Sequence, residues 1–356
     1  MIAFAARPLP IRPPAFGEGR VAAAVIGDVD LDGGQRLRDV TIAYRHDGAP
    51  PPAPQVVVVH ALTGSADAAG DWWEPLIGPG RALDTERIGV LCSNLLGGRY
   101  GSTGPVSMDR RTGRPYAEAF PAVTVRDQAR VIWRLLDVLG ISRLDLVVGG
   151  SLGGMVALEV ALERPSRVRT VMPIAAPAAT GAMAIAWDHI QLALIRRMGV
   201  EGMALARQLA MITYRSGADL DGRFGRRQED GGGFAVTSYL DHQGRKLLER
   251  FDPQTYAALA GAMDTHDVGR DRGGTVAALR RLALADTRLV GVGIEGDILY
   301  GPPQVRELVR AARSARVRTR YRHIRSTKGH DAFLVEWDQL ERILRQTLCA
   351  GAVPTG

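Results

Sequence analysis

The sequence predicts an α/β protein: a mostly parallel central sheet with a helical insertion inside it. Short β-branched, apolar runs bounded by turn residues recur along the chain, the pattern of strands buried on both faces. Amphipathic helical stretches separate them, so strand and helix alternate. One long stretch, about residues 181–274, breaks the rhythm with helical segments and no convincing strand. Alternation then returns, because the last strands must go back to complete the first sheet. The expected division is therefore residues 1–180 for the first part of the core, 181–274 for the helical insertion and 275–356 for the second part.

The strand candidates, in order, are 55–61 (QVVVVHA), 88–94 (IGVLCSN), 144–150 (LDLVVGG), 169–176 (RTVMPIAA), 288–296 (RLVGVGIEG) and 318–324 (RTRYRHI). Between them, residues 126–140 place Ala129, Ile132, Leu135, Leu136 and Leu139 on one helical face and stop at Gly140. Residues 305–315 repeat the pattern. The insertion carries HIQLALIRRMG, MALARQLAMITYR and TYAALAGAMDTHD, with a glycine run at 231–233.

The bulk composition narrows the class. The chain has 356 residues, 46% of them hydrophobic and 23% charged, which suits a soluble globular protein with a full-sized core. No apolar run reaches the roughly 18 residues needed to span a membrane. Proline and arginine break the short apolar piece of residues 1–14, which reads as a poorly ordered leader. Cys92 and Cys349 lie far apart and form no metal spacing, so no metal is expected and a reducing cytoplasm is the expected compartment. The net charge of +7 is carried almost wholly by arginine. No arginine stripe with interleaved aromatics accompanies it, so nucleic acid is not an expected partner.

The chemistry starts at LVVGGSLGGM. Gly149-Gly150-Ser151-Leu152-Gly153 matches G-x-S-x-G, with a strand before it and an amphipathic helix, MVALEVALER, after it. A serine at such a turn has its Oγ exposed, and small neighbours keep strand and helix from colliding. Its position at a helix N-terminus aims the Leu152 amide into the site as an oxyanion donor. In sites of this kind the acid and then the histidine follow the serine along the chain. Asp297 stands just past an apolar strand in GIEGDILYG, and His330 follows the last strand in STKGHDAFLVE. The other candidates fit less well: Asp286 and Asp267 precede or lie outside the strand, His189, His242 and His266 fall in the insertion, and His323 lies within a strand. The turn VVVVHALTGS supplies a second oxyanion donor in the Leu62 amide, with His60 bracing it.

At these residues the sequence resembles the homoserine O-acetyltransferases of the α/β-hydrolase superfamily. The similarity spans roughly residues 41–344 and rests on long phrases: DWWEPLIGPGRALDTERIGVLCSNLLGGRYGSTGP, FPAVTVRDQAR, GGSLGGM, ARQLAMITYRS, SYLDHQGRKLLERFD and GHDAFLVE. The resemblance implies an α/β-hydrolase fold with a helical lid. It implies ping-pong transfer of acetyl from acetyl-CoA, a co-substrate rather than a cofactor, to L-homoserine, for methionine synthesis. It also implies a homodimer formed through the insertion. By position it makes Ser151 the nucleophile, Asp297 the acid and His330 the base, with Arg207, Tyr214 and Asp331 binding the amino acid. Arg207 would take its carboxylate and Asp331 its ammonium. Arg99 stands where the family commonly has cysteine, where it could meet a CoA phosphate or a succinyl carboxylate, or lie on the surface. Leu192 stands where a basic residue is expected. Succinyl-CoA as donor, serine as acceptor, and hydrolysis by the same triad are the alternatives.

Overall fold

The valine-rich run forms the centre of an eight-stranded sheet. The structure, a computed structural model, describes residues 19–349, so the stretch read as a leader lies outside the described residues. The strands are β1 (Val21–Asp30), β2 (Arg36–Gly48), β3 (Gln55–Val59), β4 (Gly89–Ser93), β5 (Leu146–Gly150), β6 (Thr170–Ile174), β7 (Arg288–Ile294) and β8 (Thr319–Ile324). Their spatial order is β1-β2-β4-β3-β5-β6-β7-β8. From β4 to β8 every pairing is parallel, whereas β1 with β2 and β2 with β4 are antiparallel. Every residue of β3, β4, β5 and β6 is buried. Alternation still sets the faces, as the two-residue strand repeat requires. Val57, Val59 and Val147 join the core on one face, while Val56, Val58 and Val148 join the core on the other.

Sequence periodicity does not reveal the β1–β2 hairpin. Arg36, Arg38, Asp39 and Arg45 interrupt β2, and the alanine-rich run that opens β1, residues 21–26, is a weak strand signal. An antiparallel edge with one wetted face needs only every second residue to be apolar.

Helices α1 (Val125–Val138) and α2 (Leu152–Glu163) pack on each other, and α8 (Thr275–Leu284) and α9 (Pro302–Ser314) join the same core. The last helix, α10 (Trp337–Cys349), buries Leu340 and Leu344 on the opposite face. A full capping box starts α1, with Thr124 and Asp127 satisfying each other's backbone amides.

Between β6 and β7 run α3 (Ala182–Met198), α4 (Val200–Tyr214), α5 (Gly217–Phe224), α6 (Ala235–Leu248) and α7 (Pro253–Asp264). Two backbone hydrogen bonds, Thr180 N–H to His266 and Val268 N–H to Ala178, zip together the points where the chain leaves and re-enters the core. The insertion therefore departs and returns at one place and leaves the sheet register intact.

A very close backbone approach lies where α2 meets β3. A Cβ on Gly153 would stand 2.2 Å from the Val59 carbonyl oxygen. That neighbour is backbone at the sheet centre and has nowhere to go. Gly261, on α7, has open space around it. Gly153→Ala is expected to lower the urea midpoint by about 2 kcal/mol of stability or more at unchanged m-value. Gly261→Ala is expected to raise it by about 0.5–1 kcal/mol, since alanine loses less entropy in a helix.

Candidate active site

Ser151 sits between the last residue of β5 and the first of α2, with φ 58° and ψ −127°. For a residue with a Cβ this is sparsely populated backbone, of the kind that persists only where the surroundings impose it. Here the imposition is visible. The Ser151 N–H donates to the Ile174 carbonyl at 2.9 Å, and the Ser151 carbonyl accepts from Gly154 and Met155 at the start of α2.

Asp297 is held in the loop after β7. Its Oδ1 accepts from the backbone N–H groups of Leu299 (2.8 Å) and Tyr300 (3.0 Å), which leaves Oδ2 to accept from His330 Nδ1 at 2.7 Å. His330 lies in a short 3-10 turn, Gly329–Leu334, after β8. Its Nε2 is buried with no protein partner, and it shares one cavity of about 640 Å³ with Ser151. Both residues are almost fully enclosed, Ser151 at 5% and His330 at 3% exposure. The rings of Tyr214, Tyr300 and Phe333 pack around the imidazole at 5.6–5.8 Å. Burial alone would depress the His330 pKa, but the Asp297 carboxylate, by charge and by hydrogen bond, and then Asp331 outweigh it. The ring is held above its ordinary value.

The Leu62 amide belongs to the turn after β3, and Leu62 lines the cavity. The Leu152 amide opens α2. Among the described residues neither N–H donates to a protein acceptor. His60 braces the turn: its Nδ1 bonds the Ala61 carbonyl at 2.7 Å and its Nε2 accepts the Leu95 N–H at 3.2 Å. Burial pushes His60 down to about 4, so it stays neutral.

Arg207 and Tyr214 both lie on α4 and line the cavity, and the Arg207 Cζ stands 5.4 Å from the Tyr214 ring centroid. No carboxylate pairs with Arg207 among the described residues. Asp331 also lines the cavity but is not free: Arg215 faces it at 3.3 Å. Burial raises its pKa while Arg215, Arg207 and His330 pull the other way. Arg99 takes no part in this cavity. It pairs with Asp252 at 2.8 Å, tying a core loop to the start of α7, and lines a separate cavity of about 1190 Å³. Leu192 packs against the insertion's apolar side chains.

Sequence reasoning did not single out Trp72, Asn94, Tyr100, Lys246 or Arg250, all of which line the cavity. Asn94 shapes its wall, accepting from Ala66 N–H and donating to the Tyr100 carbonyl. Nothing in local spacing marks these residues, because three separate segments bring them together. No group of His, Cys, Asp and Glu able to hold a metal occurs among the described residues, and no helix there is long and apolar enough to cross a membrane.

Such a constellation can take a proton from a hydroxyl, form a covalent acyl ester and donate to a developing oxyanion. The sheet, the strained turn and the order of the three side chains are those of an α/β-hydrolase-fold enzyme. The α/β hydrolase fold family's profile matches residues 54–199. The homoserine O-acetyltransferase of Thermus thermophilus is 45% identical over 332 residues, covering 85% of this chain and 82% of that protein. The crystal structure of the Staphylococcus aureus homoserine O-acetyltransferase is 30% identical with a TM-score of 0.77, covering 92% of this chain and 95% of that one. Esterase E22, at 20% identity and a TM-score of 0.85, shares the fold, covering 92% of this chain and 99% of its own. The chain belongs to the homoserine O-acetyltransferase family and is an acyltransferase.

The electrostatics of the site have a direct readout. The His330 ring is expected to titrate above the ordinary histidine value of about 6.5 when followed by NMR. In Asp331→Asn the midpoint should move to lower pH, because a carboxylate favouring the imidazolium is gone.

Proposed function

We propose that the protein moves an acetyl group from acetyl-CoA to the hydroxyl of L-homoserine through an acyl-Ser151 intermediate. The observation that carries this reading is Arg207: a half-buried guanidinium with no carboxylate partner among the described residues, lining the same cavity as Ser151 and His330. An esterase for simple esters has no use for such a charge. An amino-acid acceptor does, because its carboxylate needs a bidentate cation.

In the proposed cycle His330 takes the Ser151 proton and Asp297 stabilises the imidazolium. The Leu62 and Leu152 amides receive the oxyanion, and CoA leaves. His330 then draws the proton from the homoserine hydroxyl, which attacks the acyl-serine. Enclosure of Ser151 and His330 disfavours water as the acceptor. The acetyl donor is favoured over succinyl because Arg99 is spent on Asp252. Lys246 and Arg250 at the cavity suit an anionic donor. Asp331 shares its charge between Arg215 and the acceptor's ammonium.

Exposed Met183, Ile190, Met198, Val200 and Ile212 on α3 and α4 support a homodimer through the insertion. The reading places the protein in cytoplasmic methionine synthesis.

Purified protein given acetyl-CoA and homoserine is expected to yield O-acetylhomoserine by mass spectrometry, with CoA release dependent on homoserine. Equal CoA release without homoserine would contradict transfer. Ser151→Ala should lower turnover by roughly 10³-fold or more. Arg207→Ala should raise the homoserine KM about tenfold or more while changing the p-nitrophenyl acetate acylation burst by less than about threefold.

A further inference from the structure

In the turn after β3, the carbonyls of Ala61, Thr63 and Ser65 are each taken by a side chain. His60 Nε2 accepts the Leu95 N–H, so the ring proton sits on Nδ1, which donates to the Ala61 carbonyl at 2.7 Å. Trp72 Nε1 donates to the Ser65 carbonyl at 3.0 Å. Between them, the Thr63 carbonyl accepts from Arg250 Nη1 at 2.6 Å, and Arg250 Nη2 reaches the Thr63 hydroxyl at 3.4 Å. His60 and Trp72 flank the turn in sequence, whereas Arg250 comes from the insertion, two residues past the end of α6. No carboxylate pairs with its guanidinium among the described residues.

The Gly64 N–H donates to the Ala61 carbonyl at 2.9 Å, so residues 61–64 form a β-turn with Leu62 and Thr63 at its centre. The peptide group joining Thr63 to Gly64 is therefore held at both ends, its C=O by Arg250 and its N–H by Ala61. The Ala61 carbonyl in turn belongs to the peptide group whose N–H is that of Leu62. A cation on the Thr63 carbonyl makes the Gly64 N–H a stronger donor. A stronger donor on the Ala61 carbonyl makes the Leu62 N–H stronger as well, by about 10–30% per bond. Two peptide groups carry the charge of Arg250 to the Leu62 amide.

The segment that bears Arg250 is itself fixed to the core. The Tyr100 hydroxyl donates to the Arg250 carbonyl at 3.0 Å, Asn94 Nδ2 donates to the Tyr100 carbonyl at 2.7 Å, and Asn94 Oδ1 accepts the Ala66 N–H at 2.6 Å. The path from Thr63 through Arg250, Tyr100 and Asn94 closes on Ala66, within the same stretch of chain.

We propose that Arg250 is a positioning residue for the oxyanion: from the insertion it clamps and polarises the 61–64 turn whose Leu62 amide receives the negative charge. The inference rests on the reading of Leu62 as an oxyanion donor and is independent of the acceptor. A mere tether between insertion and core would leave oxyanion stabilisation untouched, which separates the two roles.

The test compares acylation bursts on p-nitrophenyl acetate and on its thiono analogue, in which sulfur replaces the carbonyl oxygen. Sulfur is larger and a weaker acceptor, so the thionoester gains little from amide donors. Neither ester carries the phosphates of CoA, so donor anchoring by Arg250 does not enter. Each burst rate is divided by that ester's rate with hydroxide, and the oxygen-to-sulfur ratio is taken. Arg250→Met, which keeps the bulk of the stem, is expected to lower this ratio about fivefold, a part of the roughly 10²–10³ that a whole oxyanion donor contributes. Arg250→Gln, neutral and shorter, is expected to lower it about threefold or more, and decides alone if Arg250→Met does not fold. A ratio that stays at the wild-type value, whether the two rates fall together or not at all, would overturn the proposal. A wild type with no preference for the oxygen ester would overturn the reading of Leu62 itself. A wild type that keeps the preference but fails to acetylate homoserine would overturn the acceptor reading alone.

Discussion

The structure turns on the collision avoided between α2 and the centre of the sheet. Strand β5 must end, and α2 begin, within the single residue Ser151, so the helix axis passes directly over β3. Only glycine at 153 lets the Val59 carbonyl come that near. Gly149 is equally tight, since a Cβ there would meet the Gly153 backbone at 2.5 Å. These contacts force Ser151 into positive φ, a strain of order 1–3 kcal/mol that the buried core on both faces of the sheet sustains. In return Ser151 lines the cavity, with Leu152 opening α2 directly after it.

A second constraint follows from burying charge. His330 and Asp297 are both almost inaccessible to water, and an isolated carboxylate there would be costly. Two backbone N–H groups and the imidazole satisfy Asp297, so the carboxylate stays where it can hold the imidazolium. The insertion secures the same loop from outside. Ser216, just after α4, donates its hydroxyl to the Thr327 carbonyl, and Gly329 packs against the Tyr214–Ser216 backbone. A movement of α4 would therefore be felt at His330 and at Arg207 together. The insertion is thus also the frame that sets Arg207 and Tyr214 against His330.

Local signals were legible where one residue type has one use at one position. The G-x-S-x-G turn, the strand before it, and the aspartate and histidine after later strands could all be placed without tertiary information. The six parallel strands appear within about two residues of the expected runs, because strands buried on both faces must be apolar throughout. The β1–β2 hairpin was not legible, since its wetted edge mixes Arg and Asp with buried residues. The fate of Asp331 was half legible. Its place beside His330 was apparent, but Arg215, 116 residues earlier, pairs with it only because α4 ends against the 3-10 turn.

The sequence by itself determined the kind of fold, the strained serine turn and the order of the three reactive side chains, because local sterics and apolar periodicity dictate each of them. Only the tertiary structure decided which charges are spent and which are available. Arg99 is consumed by Asp252, Asp331 is shared with Arg215, and Arg207 is left facing the cavity. The physical reason is the same throughout: an ion pair or hydrogen bond between distant segments depends on packing directions that no local spacing encodes.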